Sequence, residues 1–194
     1  MSTTSNVFVT SATGTQGTAL CYELLKVGWN VRSTIRDVDS LAARDLCAAG
    51  VHFTLGNWDD ENALREGLRG CDKLYLCLYP DIKDLEHLGR QAAVVARLAK
   101  EAGINHAATS TSLAYAMLDD GLEKRVSFGP FFKGNSRSMK RLEQAVIDGN
   151  FATWTVLRPA FFMANLKFKI SFWVLAAWIR RAHQAANEGS CIKR

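Results

Sequence analysis

The sequence of 194 residues predicts an α/β fold with a doubly wound parallel sheet. Three observations lead to this prediction. Short β-branched runs alternate with stretches of helical period, glycines punctuate the alternation, and a glycine-bearing turn joins the first strand to the first helix. In a sheet of this kind the ligand crevice lies at the carboxyl ends of the strands.

The first βαβ unit occupies the first 35 residues. Residues 7–10 are a short β-branched and aromatic run that leads into a turn at 11–17. Apolar residues at helical spacing follow as far as Val27, and Gly28 is placed to end that helix. Residues 30–35 predict a second strand, so the order of elements is the one that a parallel pair of strands requires.

The alternation continues to residue 157. Gly56, Gly70 and Gly103 mark its breaks. The helix before Gly103 has apolar residues at positions 85, 88, 92, 95, 96 and 99, which lie on one helix face. The further predicted elements are strands at 51–55, 73–78, 106–110 and 153–157, and helices at 60–68, 84–102 and about 135–147.

The net charge of +5 is concentrated at the end of the chain. From Lys167 onward there are six basic residues and one acid, Glu188, so residues 1–166 are neutral as a whole. A basic face that follows phosphates is therefore not implied, and we expect no nucleic-acid partner. The 48% of hydrophobic and 22% of charged residues indicate an ordinary folded globular protein.

The five cysteines are predicted to be free thiols in a reducing compartment. Their number is odd, they include no CxxC pair, and no histidines stand at ligand spacing, so no metal site is predicted.

The first residues lack the basic and apolar parts of a signal peptide. The apolar run 172–179 is shorter than the roughly 20 residues that cross a bilayer. We therefore expect a cytoplasmic protein with no transmembrane segment.

A phosphate-binding turn is predicted at residues 11–17. A pyrophosphate needs a tight turn with no side chain in its way and free N–H groups at a helix start, and Gly14 and Gly17 meet that need. Ser11 stands where the usual three-glycine pattern has its first glycine. A plain surface turn is the alternative, but the strand before and the amphipathic helix after it favour a dinucleotide site.

The residue after the second strand indicates which dinucleotide is bound. An acidic side chain there chelates the ribose hydroxyls of NAD, whereas an arginine neutralises the 2′-phosphate of NADP. Here Arg36 comes first and Asp37 second, and a guanidinium presents a planar fork to phosphate. NADP(H) is therefore expected before NAD(H), with an ordinary solvated Arg-Asp turn as the alternative.

Several motifs occur in a fixed order along the chain. They are SATGTQG at 11–17, Arg36, GNWDD at 56–60, KEAG at 100–103, the step from Lys140 to Glu143, and LRPAFFMAN at 157–165. The ordered set resembles the NmrA-like family of atypical short-chain dehydrogenase/reductases, in register over about residues 6–166. The resemblance implies a Rossmann-type domain that binds NADP(H).

The resemblance also implies a role for each stretch of the cofactor site. The residues expected around the pyrophosphate, next to Gly17, are Ser11, Ala12, Thr13, Gly14, Thr15 and Gln16. Those expected at the adenosine 2′-phosphate are Arg36, Asp37, Val38, Asp39 and Ser40, and those at the adenine are Asn57 and Trp58. Leu78 would line the dinucleotide groove, with Arg90 near it. Lys140 would reach the nicotinamide ribose, and the residues that would close the nicotinamide end are Phe162, Met163, Ala164 and Asn165.

Lys140, Ser110 and Thr111 are the candidate catalytic residues. Reductases of the wider superfamily place a tyrosine four residues before the lysine, as a proton donor during hydride transfer. That position is Ser136 here, and a serine cannot replace the phenol as an acid, so Lys140 itself or a bound water would serve. Ser110 and Thr111, at the end of the fifth strand, would offer a hydroxyl that polarises the substrate. A strand end that simply faces solvent is the alternative for both.

The resemblance to the family ends near residue 166. We therefore expect an NADP(H)-binding domain at 1–166, with the substrate lobe of the family largely missing, and an atypical basic and apolar segment at 167–194. Three interpretations of this segment stay open. It is an amphipathic helix over the crevice, a membrane-surface helix, or the translation of an aberrant or truncated gene model.

Two functions from different classes follow from these observations. The first is an NADP(H)-dependent oxidoreductase that acts on a small organic metabolite. The second is a catalytically silent regulatory protein that senses NADP(H) and acts through a protein partner. The commonest use of the fold favours the enzyme, and the missing tyrosine permits the sensor.

Overall fold

Six parallel strands form a single sheet in the order β3-β2-β1-β4-β5-β6. The structure is a computed structural model that describes residues 4–81, 83–113 and 130–160. The strands are β1 (Asn6–Val9), β2 (Asn30–Ile35), β3 (His52–Leu55), β4 (Lys73–Leu76), β5 (His106–Ser110) and β6 (Thr153–Leu157). The helices in the described residues are α1 (Thr15–Lys26), α2 (Leu41–Ala49), α3 (Glu61–Leu68), α4 (His87–Glu101) and α5 (Pro130–Ile147).

The strand order confirms the predicted doubly wound parallel sheet. The chain winds outward from β1 to β3 on one side and from β4 to β6 on the other, so the direction of winding reverses between β1 and β4. Ligands of such sheets bind at this reversal, outside the carboxyl ends of the strands. The turn that follows β1 therefore lies at the expected position for a ligand site.

Helices cover the two faces of the sheet over two separate apolar cores. Val7 and Val9 of β1 point to one face and pack with Cys21 of α1 and Leu46 of α2. Phe8 points to the other face, where it lies in a larger core with side chains of α3, α4 and α5. This alternation along β1 is the period of two that a strand imposes, and it confirms the prediction of helices on both faces.

The helix α2 was not predicted from the sequence. It has nine residues, and only Ala43 and Leu46 among them are buried, so its apolar period is too short to stand out. Gly50 ends it with a φ of 111°, in the left-handed region that glycine adopts without steric cost. The connection from β2 to β3 is therefore a full crossover helix, as a parallel pair requires.

Three predicted boundaries also move. The helix α4 begins at His87 and not at 84, because the carboxylate of Asp84 accepts the backbone N–H groups of Glu86 and His87 and so precedes the first helical turn. The strand β4 ends at Leu76 and not at 78. The Thr10 hydroxyl accepts a hydrogen bond from the Cys77 N–H at 2.7 Å and donates one to the Cys77 carbonyl oxygen at 2.8 Å, so the backbone of Cys77 is bonded to a side chain.

The helix α5 begins at Pro130, five residues before the predicted start. Proline suits the first turn of a helix, where its missing N–H costs no hydrogen bond.

The last described strand, β6, lies at an edge of the sheet. It pairs with β5 from Thr153 to Leu157. Trp154 and Leu157 are about half exposed, at 47% and 48%.

Among the described helices none is both long and apolar enough to cross a membrane.

Candidate functional site

The turn after β1 has the shape that an anion requires. The Gly14 N–H donates to the Ser11 carbonyl oxygen at 2.9 Å, which closes the turn. Ser11 itself has a φ of 53°, in the left-handed region that side chains other than glycine rarely adopt. Its hydroxyl donates to the Cys77 carbonyl oxygen at 2.7 Å. Serine thus occupies a glycine position, and its bond to the end of β4 helps to hold it there.

Gly17 allows α1 to approach this turn closely. A Cβ atom at Gly17 would lie 2.1 Å from the Ser11 carbonyl oxygen and 2.9 Å from the Ala12 Cα, so no side chain fits. Gly14 precedes the first residue of α1 in an extended conformation, with no side chain capping the helix. The first N–H groups of α1 have no acceptor within the helix, so they are available to an anion over the turn. The turn therefore meets the requirement deduced for Gly14 and Gly17.

The loop after β2 leaves Arg36 available and engages its acidic neighbours. The Asp37 carboxylate accepts the Asp39 N–H at 2.9 Å, and the Ser40 hydroxyl donates to the Asp37 carbonyl oxygen at 3.0 Å. The Asp39 carboxylate lies 3.4 Å from the Arg44 guanidinium. Arg36 is exposed, and no carboxylate in the described part of the chain lies within ion-pair distance of it.

The segment after β3 lies beside the first turns of α4. The Asn57 side-chain oxygen accepts the Asp59 N–H at 2.8 Å. Trp58 is half-buried against the core and lines a cleft of about 220 Å³ together with Arg90. In the same cleft His87 Nε2 lies 2.6 Å from Asp59 Oδ1. The structure thus brings together Trp58 and Arg90, which the resemblance had placed near different parts of the ligand.

Arg90 has a partner of its own in this cleft. Its guanidinium donates to the carboxylate of Asp84. That bond is the main reason why the pKa of Asp84 lies below its usual range. The residue is exposed on α4, and its place near the dinucleotide groove stays a prediction.

The end of β4 presents Tyr79 and not the side chain of Leu78. Leu78 is 3% exposed and belongs to the larger core. Only its backbone is therefore available to the groove for which it was predicted. Tyr79 is 76% exposed. The alternation of faces at a strand end is the signal that separates these two neighbours, once the end of the strand is known.

The Gln16 side chain extends across the sheet to β4 and β5. Its Nε2 donates to the Ser110 hydroxyl oxygen at 2.8 Å, and its Oε1 accepts from the Cys77 thiol at 3.5 Å. Burial raises the pKa of Cys77 to about 11, so the thiol keeps its proton at neutral pH and can donate it. Burial also raises the pKa of the Tyr75 phenol to about 12. The charge of Cys77 raises that pKa further, and a hydrogen bond with Ser110 lowers it. Spacing along the chain gave no signal for this connection.

Glu143 joins the ends of β5 and β6 to the helix α5. The Thr111 hydroxyl donates to Glu143 Oε1 at 2.5 Å. Arg158 donates from Nε to Oε1 at 3.0 Å and from Nη2 to Oε2 at 2.6 Å. We call Thr111, Glu143 and Arg158 the Glu143 clamp. The family motifs contain Glu143 and Arg158, but the sequence did not reveal that these side chains meet.

Lys140 is exposed on α5, one turn before Glu143. Ser136, four residues before Lys140, is only 3% exposed. The position at which the resemblance led us to look for a phenol is thus a buried serine here. The four residues predicted to close the nicotinamide end, 162–165, lie outside the described residues, as does the segment 167–194.

A comparison with family models matches the NmrA-like family over residues 3–172 of the chain. No curated protein matches the chain. Among solved structures, a triphenylmethane reductase of Citrobacter sp. is 25% identical with a TM-score of 0.64, over 81% of this chain and 50% of the reductase. The chain thus spans about half the length of that enzyme. The same reductase has also been solved in complex with NADP(H), with a TM-score of 0.62.

Two further structures share the fold. An NADPH-dependent quinone oxidoreductase of Escherichia coli is 22% identical with a TM-score of 0.58, over 80% of this chain and 48% of its own. The negative transcriptional regulator NmrA in complex with NAD is 21% identical with a TM-score of 0.52, over 59% of this chain and 35% of its own. Proteins with this fold thus include both reductases and a regulator.

Proposed function

Since the chain belongs to the NmrA-like family, we propose that it binds NADP(H) and acts as an oxidoreductase on a small organic metabolite. The observation that carries the proposal is the pairing of a turn that admits no side chain at Gly17 with an exposed arginine, Arg36, that has no acidic partner among the described residues. The turn suits a pyrophosphate, and the arginine suits a 2′-phosphate. The turn follows β1, at the reversal of winding in the sheet, and the arginine follows the neighbouring strand β2.

The residues present fit the cofactor at the adenosine half. The space that a Cβ of Gly17 would fill is kept open, so the first N–H groups of α1 can approach a pyrophosphate. Asp37 is occupied within its own loop, which leaves Arg36 and the loop to Ser40 to receive the 2′-phosphate. Asn57 and Trp58 would contact the adenine, with Arg90 at the same cleft.

The nicotinamide half of the site is assigned by the resemblance. Lys140 would bind the nicotinamide ribose, residues 162–165 would close that end, and the backbone at Leu78 would line the groove between the halves. When bound, NADPH supplies the hydride. The chain itself has to hold the substrate and provide or relay the proton.

The two candidate hydroxyls differ in their hydrogen-bond partners. Ser110 accepts a hydrogen bond from Gln16 and is hydrogen-bonded to the Tyr75 phenol, so both of its partners are neutral groups. The Thr111 proton is donated to Glu143. Ser110 is therefore the better candidate to polarise a substrate oxygen, and Lys140 supplies positive potential near the developing charge. Of the three candidate catalytic residues, Thr111 is therefore assigned the smallest role in catalysis.

The alternative is a regulatory protein that senses NADP(H) and acts through a protein partner. The observations that favour it are the buried serine at position 136 and the bond that engages Thr111. Both reduce the supply of proton donors. The cysteines in the described part of the chain are free thiols, namely Cys21, Cys47, Cys71 and Cys77. For either function we propose a cytoplasmic location and expect no nucleic-acid contact.

The test of the cofactor is titration of NADPH and NADH against the full chain and against Arg36→Ala. Loss of a charged hydrogen bond should weaken NADPH by about 1–3 kcal/mol and leave NADH nearly unchanged. Arg69→Ala is a suitable control because Arg69 is an exposed arginine paired with Glu66, remote from the turn. Equal losses for both nucleotides would remove Arg36 from the 2′-phosphate site.

Turnover separates the two functions. The full chain is incubated with NADPH and a panel of quinones, dyes and small carbonyl compounds, and the oxidation of NADPH is followed by its absorbance. An oxidoreductase oxidises NADPH only in the presence of a substrate. A sensor binds NADPH with the same selectivity and shows no turnover on any member of the panel.

A further inference from the structure

Glu143 is a largely buried carboxylate at the point where three elements meet. Its side chain is 14% exposed, whereas that of Arg158 is 45% exposed. It accepts one hydrogen bond from the end of β5, through Thr111, and two from Arg158, which follows directly after β6. Each carboxylate oxygen therefore has a charged donor. A carboxylate withdrawn from water needs such partners, because an unpaired one would be strongly destabilised.

The geometry of the clamp restricts rotation as well as distance. A guanidinium that donates from Nε and Nη2 to the two oxygens of one carboxylate forms two parallel bonds, which fix the relative orientation of both groups. Backbone bonds hold the ends of β5 and β6 together, because the Thr111 N–H donates to the Leu157 carbonyl oxygen and the Leu113 N–H to the Pro159 carbonyl oxygen, both at 2.9 Å. The clamp thus locks α5 against the ends of β5 and β6.

Lys140 lies on the element that the clamp locks. It stands three residues before Glu143, so about one helical turn separates the two side chains along α5. A helix moves as a rigid unit over one turn. The position and rotation of Lys140 relative to the ends of β5 and β6 are therefore set by where Glu143 is held. The other side of the clamp, Arg158, sets the direction in which the chain leaves β6.

We propose that Glu143 is a positioning residue for the nicotinamide half of the ligand. It holds Lys140 at the height of the nicotinamide ribose and directs the chain at Pro159 toward the same end of the crevice. The inference rests on the proposed function, because it assumes that the crevice binds NADP(H). It differs from that function in naming which half of the ligand depends on the clamp. The turn at residues 11–17 and Arg36, which serve the other half, follow β1 and β2, which β4 separates from β5 and β6 in the sheet.

The experiment compares two ligands that share the adenosine half. NADPH has both halves, whereas adenosine 2′,5′-bisphosphate has the adenosine and the 2′-phosphate but no nicotinamide ribose. Glu143→Gln keeps the size of the side chain and removes its charge. We expect it to weaken NADPH roughly tenfold, since a displaced contact costs about this much or more, and to leave the affinity for adenosine 2′,5′-bisphosphate unchanged. Glu66→Gln, an exposed glutamate paired with Arg69, is the matched control.

Arg158→Lys gives a second and milder variant, in case the first fails to fold. It keeps the positive charge and removes the two parallel bonds, so NADPH should weaken by a smaller factor than with Glu143→Gln, again without a change for adenosine 2′,5′-bisphosphate. Circular dichroism establishes that each variant is folded.

A weakening of both ligands by the same factor, or of neither, overturns the positioning role while the proposed function stands. If the unchanged protein binds neither ligand, the proposed function fails and the inference fails with it.

Discussion

The two ends of the crevice are built in different ways. At the end proposed for the adenosine half, the structure depends on backbone shape, since Ser11 takes a left-handed conformation and the close approach at Gly17 leaves no room for a Cβ atom. At the end proposed for the substrate, it depends on hydrogen bonds between side chains, namely those of the Glu143 clamp and of Gln16 with Ser110. A site shaped by the backbone should lose its ligand when a side chain is added to it. A site held by side-chain hydrogen bonds should lose its ligand when one of those side chains is removed.

Gly17→Ala is the sharpest way to test the backbone end. The new Cβ would lie 2.1 Å from the Ser11 carbonyl oxygen, so either α1 or the turn has to move. We expect a loss of stability of about 3 kcal/mol or more and no measurable NADPH binding. Denaturant unfolding and nucleotide titration measure the two effects.

Gly14→Ala is the control for that substitution. Its Cβ would lie 3.2 Å from the same oxygen, at an ordinary φ, so a small shift accommodates it. The loss of stability should stay below about 1 kcal/mol. If both variants lose the same amount, the turn is not the rigid part of the site.

Lys140→Met tests the side-chain end. If the protein is an oxidoreductase, the variant should lower kcat/KM by about 100-fold or more, because the ribose contact and the local positive potential are both lost. Ser136→Ala should change kcat/KM by less than about threefold, since a serine is a poor acid at neutral pH. Steady-state kinetics on the best substrate decide between these expectations. A loss with Ser136→Ala equal to that with Lys140→Met would give Ser136 the part of the missing tyrosine.

Alkaline pH tests the contact between the two ends, which runs through Gln16 and Cys77. Burial raises the pKa of the Cys77 thiol to about 11 from the ordinary value of about 9. Folding therefore favours the protonated thiol. The stability that this contributes is fully present below pH 9 and is lost as the pH rises from 9 through 11. Cys77→Ala should show a smaller fall in unfolding free energy over that range than the unchanged protein, in denaturant titrations at pH 8 and pH 10.5.

Cys47→Ala serves as the control, because Cys47 is exposed on α2 and remote from Gln16. A fall that is the same in Cys77→Ala and in the unchanged protein would show that the thiol does not stabilise the contact through its proton.

The smallest effect is expected at Ser11. Ser11→Ala keeps the left-handed backbone and removes the bond to the Cys77 carbonyl, so it should cost about 1 kcal/mol. Ser11→Gly removes the same bond and relieves the backbone, so its stability should stay within about 0.5 kcal/mol of the unchanged protein. Thermal unfolding of the two variants side by side is sufficient. Equal losses would mean that the serine is not strained.

The same contrast explains what the sequence could predict. Features that depend on neighbours along the chain were predictable, because a strand period of two and the glycines at 14 and 17 are local signals. All six described strands were predicted, and Arg36 lies exposed at the end of β2 as its position indicated. The short helix α2 was missed because only two of its side chains are buried.

Features that depend on contacts across the fold could not be predicted. The Gln16 side chain was placed at the pyrophosphate by its motif, but it bonds to Ser110, 94 positions away. Leu78 was placed in the groove, and its side chain is buried in the same core as Leu74 and Leu76. The partners of Glu143 come from two other elements, and no periodicity along one helix reveals them. The roles of all these residues toward a ligand stay predictions.

The order of the strands also has a consequence for synthesis of the chain. The pairing of β1 with β4 joins the most distant stretches of any strand pair in the described sheet, and Ser11 and Cys77 meet across it at a separation of 66 positions. A nascent chain therefore has no nucleotide site until β4 has left the ribosome. Non-local pairings of this kind form slowly, and a nucleotide that binds only the joined halves favours the completed sheet by mass action. A higher concentration of the dinucleotide should then raise the folded fraction of the newly made protein.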